Sequence, residues 1–416
     1  MANLSNQTAK PSGSVAFTIV FIIAIFIGCR ATPLRLQQSE VNTCFKFTND
    51  VPFEEYIRIT RSMIEKTRVD INERNKAIIL EANSPFELKP DLSLYPQNEN
   101  GKFKKGILLI HGLLDSPYII KHVALYLHSK GFLVRSILLP GHGTVPADLT
   151  KVSYHEWIKA AEYGIHRLQH HAEKVYIGGF STGGALSIHQ ALKNPAIKGL
   201  ILFSPALGIK TKMAGFAGLA NFFTDWLVIR DDMDYARYES FPSNAADQIY
   251  QLACDIDDLI LKEGKHINTP VFIALSADDI TVDAEKTLYF FKNYVSAENS
   301  KLILYTTKTK EHPVNKHSRI VIENSFLPEE RILNFSHFSI LIPSDDLHYG
   351  KNGDYKWCLH YQRNKEKRIA CMNDPEIWQG EITKENLANH TLRRLTYNPL
   401  YRQMLKRLDC FLEMLE

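Results

Sequence analysis

The chain has 416 residues, of which 45% are apolar and 23% charged, and its formal net charge is +3. These fractions are ordinary for a folded protein, and the length admits two or three domains or one long α/β enzyme. Lysine and arginine are scattered without the basic face that phosphate-backbone binding needs, which excludes a nucleic-acid partner.

Residues 1–28 read as a signal peptide rather than as part of the globule. Lys10 precedes the run Val15 to Gly28, whose only polar member is Thr18. As a helix this run covers about 21 Å, short of the roughly 30 Å hydrocarbon core, so it fits a signal h-region better than a spanning helix. Its end, Phe26-Ile27-Gly28-Cys29, resembles a bacterial lipobox. That resemblance implies cleavage before Cys29, lipidation of Cys29 and an extracytoplasmic, membrane-anchored protein. An uncleaved signal anchor and an ordinary cleaved signal (giving a secreted protein) are the alternatives, and all three export the chain. Export permits disulfides. Among the six cysteines, Cys358 and Cys371 are spaced to close a short loop, with buried thiols the alternative.

Residues 29–50 are polar and aperiodic, as expected of a tether. Pro52 to Val69 carries Tyr56, Ile59, Met63 and Ile64 at helical spacing. Leu88 to Tyr95, with Pro90 inside it and Pro96 directly after, predicts a loop or edge strand. From Gly106 to Ile110 a continuous apolar run predicts a strand buried on both faces of a parallel sheet. A helix over Ile119 to Lys130, a strand over Phe132 to Leu138 and a helix over Tyr154 to His171 follow. The strand from Val175, the helix after it and a strand over Gly199 to Phe203 complete residues 51–204 as the first part of an α/β core. Residues 205–264 interrupt the alternation with Met213, Phe216, Phe222, Phe223 and Trp226, and predict a cap or lid over the site. Residues 265–342 continue the core, with strands over Val271 to Leu275, Leu302 to Tyr305 and, last, Arg331 to Phe335. Residues 343–385 form a polar insertion expected to border the site mouth, and 386–416 hold a closing amphipathic helix from Pro399 to Leu415.

The chemistry centres on Val175-Tyr-Ile-Gly-Gly-Phe-Ser181-Thr-Gly-Gly-Ala. Gly179-Phe180-Ser181-Thr182-Gly183 is a G-x-S-x-G elbow between a strand and a helix. The turn is too tight for side chains two positions either side of the serine, and it aims the hydroxyl outward. It also puts the Thr182 amide at a helix N-terminus, where it can donate to an oxyanion. An elbow serine needs a base to take its proton and an acid to orient that base. His337, in Asn334-Phe335-Ser336-His337-Phe338, is the candidate base. His312 and His317 sit in a charged segment, and His189 lies inside a helix. The acid comes from Ser276-Ala-Asp278-Asp279, in which both carboxylates are open candidates.

His111-Gly112, Leu139-Pro-Gly141-His142-Gly143, the elbow, the aspartate loop and Ser336-His337 together resemble the monoacylglycerol lipase and lysophospholipase-like branch of the α/β-hydrolases. The resemblance spans roughly residues 100–340. It implies the α/β-hydrolase fold: a mostly parallel central sheet flanked by helices, with a cap inserted between core strands. It also implies a G-x-x-D-x-x-V register that selects Asp279 over Asp278, with Ser276 in place of the glycine. The implied catalytic set is Ser181, Asp279 and His337, with the Leu113 and Thr182 amides as oxyanion donors and no metal or cofactor. The expected reaction is hydrolysis of carboxylic esters, with lipid esters such as monoacylglycerol or lysophospholipid as substrates, through an acyl-enzyme. Aminopeptidase or acyltransferase chemistry on the same triad is the alternative, and a catalytically silent binding protein is the other.

Overall fold

The computed structural model describes residues 32–210, 224–309, 314 and 317–415. The signal segment with Cys29, the apolar run from Met213 to Phe223, and His312 lie outside the described residues.

The core is an eight-stranded sheet. Its first half holds β1 (Phe86–Leu88), β2 (Phe103–Ile110), β3 (Leu133–Ile137), β4 (Ala172–Phe180) and β5 (Ile197–Phe203). A short ribbon of β6 (Trp226–Val228) and β7 (Phe241–Pro242) stands apart, and β8 (Val271–Ser276), β9 (Lys301–Thr306) and β10 (Ile320–Asn324) complete the main sheet. The spatial order is β1-β3-β2-β4-β5-β8-β9-β10, and every pairing is parallel except that of the edge strand β1 with β3. The central strands read as unbroken apolar runs because both faces are covered. In β2, Leu108 and Ile110 enter one core cluster while Ile107 and Leu109 enter the other. The first cluster takes in Trp157 of α4 (Tyr154–Gln169) and Leu186 of α5 (Thr182–Lys193). These follow α1 (Phe53–Thr67), α2 (Lys76–Asn83) and α3 (Lys121–Ser129) in the chain. α6 (Ser243–Leu261) and α7 (Ala284–Tyr294) join the same side, through Leu252, Ile256 and Phe291. Val123 and Leu127 of α3 cover the other face. Each fully buried leucine or isoleucine in these layers is worth about 2 kcal/mol.

One strand differs from the sequence expectation. Arg331 to Phe335 is not a sheet strand; the last strand is Ile320–Asn324, beside β9. Ile332 makes only single bridges, to Leu327 and to Gln379, so its segment pairs with the insertion rather than with the sheet. Its apolar residues are explained by burial all the same: Ile332 and Phe335 sit at 0% exposure in the second cluster.

The insertion after residue 343 is itself folded. It holds α8 (Lys365–Asn373), β11 (Trp378–Gly380), α9 (Lys384–Asn389) and the return strand β12 (Leu392–Arg394), and α10 (Tyr401–Glu413) then packs Met404, Leu408 and Phe411 on the sheet. Cys358 and Cys371 form a disulfide, closing a loop for which chain entropy predicts about 3 kcal/mol. Arg393 caps α8, its guanidinium donating to the carbonyls of Cys371 and Met372. Buried hydrogen bonds fasten the insertion to the segment between β6 and β7: the Tyr349 hydroxyl donates to Asp234 (2.7 Å) and the Tyr355 hydroxyl to Glu239 (2.6 Å). The two stretches that interrupt the core are therefore joined to each other above it. No helix among the described residues is long and apolar enough to cross a membrane.

Candidate active site

Ser181 sits between the end of β4 and the start of α5 with φ 52° and ψ −113°, a conformation that L-residues rarely adopt. The surroundings over-determine it. The Ser181 amide donates to Phe203 (3.0 Å), and its carbonyl accepts from Ala185 and Ala206 (both 3.0 Å). A Cβ on Gly179 would lie 2.5 Å from the Ile110 carbonyl oxygen, and one on Gly183 closer still, so β2 and the elbow can approach only because both residues are glycine.

His337 and Asp279 meet beside this turn. His337 Nδ1–H donates to Asp279 Oδ2 (2.5 Å), which leaves Nε2 free to accept a proton. The other oxygen, Asp279 Oδ1, accepts from the amides of Thr281 (2.7 Å) and Val282 (3.0 Å), and the residue is fully buried. Asp278 points elsewhere, to the Ser325 hydroxyl (3.4 Å). Ser276 binds the Asp279 and His337 loops together: its hydroxyl donates to the Phe335 carbonyl (2.8 Å) while accepting from the Asp278 amide (3.2 Å). The Phe180 ring packs 4.8 Å from the His337 imidazole, centroid to centroid. Of the other histidines, His189 is spent on Asp255 (3.1 Å), away from the site.

Leu113 and Thr182 line the same cavity as Ser181 and His337. The loop bearing Leu113 is held by two buried histidines. His111 Nε2 accepts from the Leu139 amide (3.1 Å) and its Nδ1–H donates to the Gly112 carbonyl (2.8 Å). His142 Nε2 accepts from the Leu114 amide (3.1 Å) and its Nδ1–H donates to the Pro140 carbonyl (3.1 Å). An imidazole that accepts at Nε2 must be neutral. Burial holds it so, pushing His142 down to about 4 and His111 well below its ordinary range. Leu114, at φ 67°, takes the turn out of this loop.

The cavity measures about 360 Å³. Phe180, Ile209, Phe241, Ile249, Phe338 and Trp357 give it apolar walls, and Arg230, Arg237, Arg394, Asp115 and Glu381 supply charge.

Residues 101–309, half of the chain, match the family described as serine aminopeptidase, S33. The chain belongs to this family of α/β-hydrolases. It is 31% identical over 120 residues to the thermostable monoacylglycerol lipase of Bacillus sp. (strain H-257), an alignment covering 29% of this chain and 47% of the lipase. The chain thus spans about half the length of that relative. Against the carboxylesterase of Bacillus subtilis (strain 168) it is 21% identical over 208 residues, 48% of this chain and 82% of the esterase. Among solved structures, the Paleococcus ferrophilus monoacylglycerol lipase superposes with a TM-score of 0.41 at 20% identity, covering 53% of this chain and 88% of that one.

The S33 match runs from just before β2 to just beyond β9, taking in Leu113, Ser181, Thr182 and Asp279. His337 and the whole insertion lie beyond it. The insertion nevertheless supplies a residue that sequence reasoning missed. Glu381, fully buried, accepts from the His337 backbone amide (3.0 Å) and from both Nε (2.9 Å) and Nη2 (3.1 Å) of Arg394. It anchors the histidine loop from behind. No motif marked it, because a lone Gly-Glu pair in a polar stretch carries no signal.

Proposed function

We propose that this S33 hydrolase is an exported, membrane-tethered serine esterase that cleaves lipid esters through an acyl-enzyme. One observation carries the reading: a strained elbow serine and a histidine already oriented by a buried carboxylate open into one apolar-walled cavity. In this mechanism His337 Nε2 takes the Ser181 proton as Oγ attacks the ester carbonyl. Asp279 holds the imidazole and stabilises its positive charge. The Leu113 and Thr182 amides receive the oxyanion, each such donor being worth about 10²–10³ in turnover. Collapse expels the alcohol, which takes the proton from His337. Water then attacks the acyl-enzyme, with His337 again as base, and releases the acid.

Charge in the cavity favours an ester over a peptide. An aminopeptidase needs a free carboxylate to hold the substrate ammonium, but Glu381 is bidentate to Arg394 and Asp115 faces Arg237 at 3.3 Å. Export is supported by the run ending at Cys29 and by the Cys358–Cys371 disulfide, a bond typical of oxidising compartments. The mass of the mature N-terminus is expected to show a lipidated Cys29; an intact Met1 with unmodified Cys29 would contradict it.

Apolar walls predict a preference for medium or long acyl chains. In a p-nitrophenyl ester series, kcat/KM is expected to rise from acetate through butyrate to laurate, since each buried methylene adds about 0.8 kcal/mol of binding. A sharp preference for acetate would overturn the lipid-ester assignment.

A further inference from the structure

Three arginines line the cavity that holds Ser181, and their charges are balanced unequally. Arg394 is neutralised by its two hydrogen bonds to Glu381 and lies 4.5 Å from the Trp357 ring. Arg237 is held between aromatic faces, 4.2 Å from the Trp357 centroid and 5.1 Å from that of Phe338. Its one carboxylate contact runs from Nε to Asp115 Oδ1 at 3.3 Å, and among the described residues both of those atoms are buried without a hydrogen-bond partner. Arg230, on the segment between β6 and β7, is partly buried and makes no ion pair among the described residues. Glu239 acts on it electrostatically, but that carboxylate is already taken by the Tyr355 hydroxyl (2.6 Å) and the Met233 amide (3.0 Å). Burial depresses the Arg230 pKa, and the charges of Arg237 and Arg394 depress it further, so the three cations act on one another across the cavity.

Arg237 keeps one counter-charge in Asp115, whereas Arg230 is a partly desolvated guanidinium without an ion pair, an unfavourable state whose cost an arriving anion offsets. Guanidinium forks match the oxygens of phosphate and carboxylate groups, and stacking on Trp357 fixes the plane of Arg237 for that contact. A neutral glyceride would leave both forks unanswered, and a cationic group would be repelled. We propose that the natural substrate is an ester bearing an oxyanion, a phosphate or carboxylate, which Arg230 and Arg237 hold while the acyl carbonyl lies at Ser181. This rests on the serine-esterase reading above and names the substrate class for the same site. Hydrolysis then consumes one water and releases the fatty acid together with the anionic alcohol.

Two measurements test it. In calorimetry below the micelle concentration, octyl phosphate is expected to bind about tenfold or more tightly than octyl glucoside. That advantage should shrink about tenfold in Arg230→Gln and in Arg237→Gln, and be partly restored in Arg230→Lys. In turnover, the ratio of kcat/KM for 1-lauroylglycerol 3-phosphate over 1-lauroylglycerol is expected to exceed ten and to collapse toward one in Arg230→Gln, through KM. The lauroyl ester of glycolic acid, run beside its methyl-capped form, carries the carboxylate on the alcohol side and is expected to show the same preference for the charged form; equal turnover of the two would overturn the carboxylate half of the proposal. Equal binding of octyl phosphate and octyl glucoside by the wild type, or equal turnover of the charged and neutral lipids, overturns the proposal and leaves the serine mechanism standing. Arginine-dependent binding of octyl phosphate with no ester turnover would do the reverse.

Discussion

Asp279→Asn is expected to lower kcat by about 10⁴ while leaving the fold intact. The two oxygens of Asp279 do different work. Oδ1 accepts from two backbone amides, Thr281 and Val282, and only an oxygen can stay there. The asparagine NH₂ is therefore driven to the Oδ2 side, facing His337 Nδ1, where the wild-type carboxylate accepts a hydrogen bond at 2.5 Å. Nδ1 must then become the acceptor, and the imidazole proton moves to Nε2. A histidine protonated at Nε2 cannot take the serine proton, so the loss falls on kcat. Asp278→Asn serves as the comparison, because Asp278 bonds Ser325 and does not touch the imidazole. It is expected to change kcat by no more than a few-fold. Steady-state kinetics of the two variants on one ester decide the matter; equal losses would deny Asp279 its role.

The second large effect is acid lability built into the oxyanion loop. His111 and His142 are buried, their rings 4.9 Å apart, and each accepts a backbone amide at Nε2. Unfolded, each would take up a proton near its ordinary value of 6.5; folded, His142 does so only near pH 4, and burial holds His111 well below its ordinary range. Between those limits the unfolded chain binds more protons, so stability falls as pH falls and is complete above about 6.5. For His142 alone the loss approaches about 3 kcal/mol by pH 4. Urea midpoints measured from pH 7 to 4.5 should therefore drop, and drop less in His142→Gln, whose side-chain carbonyl can still accept from Leu114. The variant comparison separates this contribution from that of carboxylates elsewhere. An identical acid slope in wild type and variant would contradict it.

Much of the core was legible because its strands are buried on both faces. Runs such as Ile107 to Ile110 and Val271 to Leu275 leave few alternatives to a parallel sheet strand. Arg331 to Phe335 misled for the same reason: Ile332 and Phe335 are buried, but against the insertion and the back of the sheet, and apolar content does not say which partner a residue has. Local spacing brought Cys358 and Cys371 within reach of one another without choosing between bridge and thiols, a choice the folded loop makes. Between Asp278 and Asp279 periodicity offered nothing, since adjacent residues share one turn; only the direction of each side chain separates them. Glu381 and the pocket arginines were invisible for a different reason. They come from segments far apart in sequence, around residues 230–237 and 381–394, which the fold brings together at the Trp357 ring, 4.2 Å from Arg237 and 4.5 Å from Arg394.

The central claim is that Ser181 is an activated nucleophile, and a fluorophosphonate probe tests it most directly. Labelling the folded wild type, digesting it and locating the adduct by peptide mass is expected to place one phosphonyl group on Ser181, with none in Ser181→Ala. Folded wild-type protein that takes up no label, or carries it at another residue, would contradict the account.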